Sequence, residues 1–203
     1  PTPVGPQISR RATEAGKRVQ SMMGAKNRCF VMPDAPKEHA LNNLLGSAFG
    51  AAGQRCMANS VAVLVGAARE WLPELVTKSQ AMKVGPGSDR AADLGPLVNP
   101  RAKERVLGLI ESGVAQGAKL LLDGRDCVVK GYEKGNFVGP TVFGDVTDQM
   151  DIYTQEIFGP VLTVVSVATL EDAIAFINRN PNGNGTAIFT SSGWAARKFQ
   201  HDI

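Results

Sequence analysis

The sequence predicts an α/β fold with a largely parallel sheet and flanking helices. Helix-like and strand-like segments alternate along the chain. The stretch Val161 to Val167 is almost continuously apolar, as in a strand covered on both faces. Leu41, Leu44, Leu45, Ala48, Phe49 and Ala52 recur at helical spacing, marking one buried helix face. With 203 residues, 43% of them hydrophobic, the chain can fill one large domain with a real core.

In chain order, Ile8 to Ala15 reads as a helix ending near Gly16. Lys17 to Met22 and Cys29 to Met32 read as short strands on either side of a Gly24-Ala25 turn. Asp34 is placed as an N-cap and Pro36 suits a first helical turn, opening the helix that Gly53 stops. Val61 to Val65 is the next strand. A helix carrying Trp71, Leu72, Leu75 and Val76 follows, opened by Ala67 and closed before Gly85. Val84 to Asn99, rich in glycine, proline and charge, reads as an ordered connection. Asn99-Pro100 caps a helix with Ala102, Val106, Leu109 and Ile110 on one face.

Leu120 to Leu122 is a strand ended by the Asp123-Gly124 turn. Val128 to Gly139 suggests an irregular hairpin, with Phe137 to Val142 extended. Thr169-Leu170-Glu171-Asp172 has the form of a capping box for the helix Ala173 to Asn178. Ala187 to Thr190 is the last strand, and a final helix starts at Ser192.

The net charge is +3 with acids and bases interspersed, which gives nucleic-acid or membrane binding no support. No apolar run approaches the roughly 18 residues of a membrane helix. Cys29, Cys56 and Cys127 are odd in number and widely separated, arguing for reduced thiols in a cytosol-like compartment or a mitochondrial matrix. His39 and His201 are the only histidines, so a histidine-rich metal site is excluded.

Cys56 falls on a short loop between a helix end and a buried strand. That position fits a nucleophile held by rigid elements, and it fits a small buried thiol. The adjacent cation Arg55 favours the first reading, because it favours thiolate over thiol. A cysteine hydrolase or acyltransferase needs a base near the thiol, and His39 lies at the far end of the preceding helix. A non-catalytic oligomerisation module is a third possibility.

Gly53-Gln54-Arg55-Cys56 resembles the G-Q-x-C nucleophile loop of the aldehyde dehydrogenase superfamily, and Glu156-Ile157-Phe158-Gly159-Pro160 matches its E-I-F-G-P motif. Met23-Gly24-Ala25-Lys26-Asn27, Asp93-Leu94-Gly95-Pro96-Leu97 and Asn182-Gly183-Asn184-Gly185 through Phe189 resemble its CoA-acylating methylmalonate-semialdehyde dehydrogenases. The resemblance spans nearly the whole chain.

The resemblance implies a catalytic-domain portion of a larger enzyme, truncated at both ends. Residues 1–20 would be the end of a cofactor domain and its linker, and 21–203 the thiol domain. Pro1-Thr2-Pro3-Val4-Gly5 would be the tail of a dinucleotide-contacting G-S-T-x-x-G segment. The implied reaction is NAD-linked oxidation of methylmalonate or malonate semialdehyde through a Cys56 thioester, with coenzyme A as cosubstrate. Cys56 would use its own backbone N–H as one oxyanion donor. Glu156 would hold the nicotinamide ribose and Phe158 would lie beside the nicotinamide; alone, they would read as a solvated acid and a core aromatic. Arg55 would bind the substrate carboxylate, because a guanidinium holds a carboxylate bidentately.

Lys26 invites a catalytic role but is assigned to the surface or to packing. Met22 stands where hydrolytic members carry a water-activating glutamate. The whole protein is expected to be a homo-oligomer, dimer or tetramer. This chain by itself is expected to lack turnover.

Overall fold

A computed structural model describes residues 4–203. Six strands form one sheet: β1 (Asn27–Val31), β2 (Asn59–Val65), β3 (Lys119–Leu122), β4 (Thr141–Gly144), β5 (Val161–Val167) and β6 (Thr186–Phe189). Their order is β3-β4-β5-β2-β1-β6. Every pairing is parallel except β3 with β4. The helices are α1 (Gly5–Glu14), α2 (Lys37–Phe49), α3 (Leu72–Gln80), α4 (Pro100–Ala115), a single turn α5 (Asp151–Thr154), α6 (Leu170–Asn178) and α7 (Gly193–Asp202).

Burial on both faces explains the apolar strand sequences. Cys29, Val31, Ala62, Leu64, Leu162 and Val164 join one core with the apolar face of α2 and with Leu75 of α3. Phe30, Val61, Val63, Val65, Val161 and Val165 join a second core with residues of α4, α6 and α7. Alternate residues of each strand thus enter opposite cores, and neither can be polar without a partner. Leu41 and Leu44 of α2 are fully buried, and truncating either to alanine would cost about 2–5 kcal/mol.

Caps read from the sequence are present where the side chain acts locally. The Asn99 carboxamide oxygen accepts from Ala102 N–H, and Ser192 does the same for Ala195. Thr169 and Asp172 form a reciprocal capping box.

Other expectations are corrected. Lys17 to Met22 is not a strand: it is a largely exposed, irregular lead-in with no ladder partner among the described residues. Asp34 does not cap α2; its carboxylate accepts from the hydroxyl of Thr190 and the N–H of Ser191, and Pro36 holds the N-cap position. The hairpin is formed by β3 and β4 themselves, and residues 123–140 between them, Cys127 included, run as an irregular connection with turns. A 3-10 segment, Gly66–Trp71, precedes α3, and the turn α5 carried no sequence signal. Of the first five residues compared with a dinucleotide-contacting segment, Pro1 to Pro3 lie outside the described residues.

Candidate active site

The helix α2 ends at Phe49, earlier than its apolar spacing suggests. Ala51 and Ala52 then adopt left-handed backbone angles, φ 52° and 54°, followed by Gly53 at φ 69°. Left-handed alanines are strained, so tertiary contacts must hold them. Gly53 supplies one such contact. A Cβ there would lie 2.0 Å from the carbonyl oxygen of Gly159, so only glycine lets the two backbones meet. Gln54 ties the next residue down: its amide donates to the carbonyls of Ala51 and Pro96 (both 3.2 Å), and its oxygen accepts from Val98 N–H at 2.9 Å.

Arg55 to Ala58 form a turn closed by Ala58 N–H donating to the Arg55 carbonyl at 3.0 Å. Cys56, inside this turn, is exposed. Its carbonyl accepts from the Asn27 amide at 2.8 Å and the Asn184 amide at 2.6 Å. The Arg55 guanidinium folds back over Gly50, with Nη1 3.5 Å from the Gly46 carbonyl. A cation beside the last carbonyls of α2 is favourably placed against the helix dipole.

The second motif follows α5. The backbone carbonyls that lead into it are gripped by cations from two other elements. Lys26 Nζ donates to the carbonyls of Ile152 (2.7 Å) and Gln155 (2.9 Å). Arg105 of α4 donates to the carbonyl of Glu156 at 2.8 Å and also to that of Ile157. Phe158 then takes φ 56° and stays partly exposed, while Gly159 sits against Val106 too closely for a side chain.

Lys26 is fully buried, which overturns its surface assignment and supports the packing one. Burial pushes its amine down to about 7; the Arg28 cation lowers it further and Glu156 opposes the shift.

Ala25, Asn27, Gly53, Arg55, Glu156 and Phe158 all contribute to one cleft. The fold therefore brings Arg55, Glu156 and Phe158 to the same opening; Cys56 is exposed and follows Arg55 in the chain but is not among the residues that line the cleft. His39 does not join them. It sits near the start of α2 against Phe189 and Asn43, about 15 Å of helix from Phe49. Among the described residues no His, Cys, Asp and Glu cluster suits a metal ion, and no helix is long and apolar enough to cross a membrane.

The aldehyde dehydrogenase family model matches residues 1–203. The chain belongs to that family. It is 59% identical over 197 residues to the human mitochondrial methylmalonate-semialdehyde/malonate-semialdehyde dehydrogenase [acylating], covering 97% of this chain and 37% of that protein. The methylmalonate-semialdehyde dehydrogenase DddC of Oceanimonas doudoroffii superposes with a TM-score of 0.96 at 48% identity, over 100% of this chain and 42% of that one. The NAD+ complex of an aldehyde dehydrogenase from Bacillus cereus gives a TM-score of 0.93 at 32% identity, over 100% of this chain and 40% of that one. This aldehyde dehydrogenase chain thus spans well under half the length of the relatives it matches.

Sequence reasoning missed Asn27, Asn184 and Arg105 as members of this aldehyde dehydrogenase site. Lys26-Asn27 and Asn182 to Gly185 did stand out as motif text. Their contacts are separated along the chain by 29 residues (Asn27 to Cys56), 51 (Arg105 to Glu156) and 128 (Asn184 to Cys56), so no local spacing announces them.

Proposed function

We propose that this chain is the thiol-bearing part of an NAD-dependent, CoA-acylating semialdehyde dehydrogenase, with residues 21–203 as its catalytic domain and 1–20 the end of the cofactor domain and linker. The observation that carries the reading is the backbone contact of Gly53 with Gly159, which joins the nucleophile loop to the E-I-F-G-P turn at one cleft.

The residue types fit a nicotinamide group: Glu156, an acid, and Phe158, an exposed aromatic, both line the cleft. NAD, when bound, accepts the hydride. The Cys56 thiolate adds to the aldehyde carbon and forms a thiohemiacetal whose oxyanion the Cys56 N–H stabilises. Loss of hydride leaves a thioester on Cys56. Arg55 is assigned to the substrate carboxylate, which it reaches by turning from the end of α2. The CoA thiol then attacks the thioester, and the product is propionyl-CoA or acetyl-CoA after loss of carbon dioxide.

Water does not compete, on this reading, because Met22 occupies the position of the hydrolytic glutamate. Its thioether cannot take a proton at neutral pH. The side chain is exposed, and its sulfur accepts from the Gln20 amide at 3.6 Å. The whole enzyme belongs in a mitochondrial matrix or a bacterial cytoplasm.

The test is rapid mixing of the complete enzyme containing this chain with NAD and semialdehyde, without CoA. A single burst of NADH followed by near-arrest, relieved by CoA, is expected. Steady turnover without CoA at the CoA-saturated rate would refute the acyl-transfer assignment.

A further inference from the structure

We propose that Asn27 and Asn184 are positioning residues of the nucleophile: two side-chain amides that hold the carbonyl of Cys56 so that its thiol and N–H keep one orientation. The inference rests on the assignment of Cys56 as nucleophile.

Asn27 opens β1, is buried, and has its amide fully engaged. Its nitrogen donates to the carbonyls of Cys56 (2.8 Å) and Ala58 (2.9 Å). Its oxygen accepts from Gly185 N–H (2.9 Å) and from the Asn184 amide (3.2 Å). Asn184 comes from the lead-in to β6, which pairs with β1 in parallel, Arg28 opposite Thr186. The amide of Asn184 reaches the same Cys56 carbonyl at 2.6 Å. One carbonyl oxygen thus takes two donors, one from the start of β1 and one from the lead-in to β6.

The backbone pays for this arrangement at Asn184. Its φ is 105°, a region that residues with side chains rarely adopt. Gly185 lets the chain come close on one side: a Cβ there would lie 2.7 Å from the Met57 methyl and 3.3 Å from the Asn27 oxygen. Such strain persists only where surrounding contacts over-determine the conformation. The amide bond to Cys56 is such a contact.

The consequence follows from planar trans peptides, in which N–H and C=O point in opposite directions. The Arg55 carbonyl is held by the N–H of Ala58, so the Cys56 N–H is directed away from Ala58. Among the described residues that N–H makes no hydrogen bond, leaving it able to donate to an oxyanion. The next peptide is fixed by the two asparagines. With the planes on both sides of the Cys56 Cα held, the Cα–Cβ bond keeps a fixed direction relative to the Cys56 N–H, and only rotation about χ1 is left to place the thiol. The turn's own closing bond, from Ala58 N–H to the Arg55 carbonyl, leaves the Cys56 carbonyl to the two asparagines.

The test uses Asn184→Gly and Asn184→Asp in the complete enzyme. Glycine takes φ 105° without strain and deletes only the amide; aspartate keeps the shape but offers no donor at neutral pH. Both should slow the NADH burst by roughly tenfold to a hundredfold, as expected for a misplaced reacting group. The Kd for NAD and the melting temperature should stay near the parent values, and amide exchange in the Cys56–Met57 segment should quicken. Burst rates within twofold of the parent in both variants would overturn the inference. Should the parent form no NADH at all, the dehydrogenase reading fails separately, and unchanged exchange in Asn184→Gly would overturn the clamp independently.

Discussion

Gly53 and Gly159 are in backbone contact, so closely that a single methyl on Gly53 would fall 2.0 Å from the Gly159 carbonyl oxygen. The two glycines come from the nucleophile loop and the E-I-F-G-P turn, and each is hemmed in on its own side. The Gly53 Cβ direction also meets the Ala48 carbonyl at 3.2 Å, and that of Gly159 meets Val106 at 2.5 Å. Neither backbone has room to retreat.

Gly53→Ala should therefore destabilise the fold by about 2–4 kcal/mol, combining a left-handed alanine with a backbone clash. Urea unfolding measures it. Gly46→Ala is the control: its Cβ meets nothing within 4 Å inside α2, and alanine is the better helix former there. A Gly53→Ala variant as stable as the parent would show that the two motifs are not pressed together.

Labelling separates the three thiols. Cys56 is exposed, Cys127 is half-buried and Cys29 is buried in β1. Burial pushes the Cys29 thiol up to about 12 and raises that of Cys127. Iodoacetamide at neutral pH should modify Cys56 first, Cys127 next and Cys29 last, read by peptide mapping after brief exposure. Equal modification of all three in the folded protein would contradict this order.

What the sequence made legible follows the range of the interactions. The helices and both-face-buried strands obey periodicity, and Asn99, Thr169 and Ser192 cap helices within three residues, so local text suffices. Asp34 had the local look of a cap, yet its partners Thr190 and Ser191 arrive from the far end of the chain. Val19 and Met22 resemble strand residues, but no neighbouring strand offers them a ladder. Whether Lys26 serves the surface or packing stayed open in the sequence, because the carbonyls that receive it belong to α5 and the turn after it, which carry no local mark of that role. Arg55, Glu156 and Phe158 stood out as candidate site residues through motif text, and their sharing of one cleft became visible only in three dimensions.

Lys26 gives a pH signature. Its amine in the fold is lowered to about 7, whereas in the unfolded chain it keeps the ordinary value of 10.5. Between those values the unfolded chain holds a proton that the fold does not, so raising the pH through this window stabilises the fold. Below about 7 both forms are protonated and the contribution is flat. Relative to Lys26→Met, the parent should gain about 1 kcal/mol per pH unit between roughly pH 7.5 and 9.5. Urea midpoints of both proteins across that range check it. A constant difference would mean that the buried amine keeps its proton.

The last prediction concerns Arg55, for which two roles compete at the same guanidinium. It lies over Gly50 and donates weakly to the Gly46 carbonyl at 3.5 Å, which is a loop-supporting role. It also lines the cleft with Glu156 and Phe158, where a carboxylated semialdehyde would present its anion. A 3.5 Å contact is a poor hydrogen bond, so little is lost when the fork turns to a carboxylate. Arg55→Lys keeps the charge near the end of α2 and removes the paired donors. In the complete enzyme, transition-state binding of the carboxylated semialdehyde should weaken by about 1–3 kcal/mol relative to propionaldehyde, the range for a charge-assisted bond. Values of kcat/KM for both aldehydes supply the measurement. A selective loss assigns the guanidinium to the substrate carboxylate; parallel losses would place it in support of the nucleophile loop, through its contacts with Gly46 and Gly50.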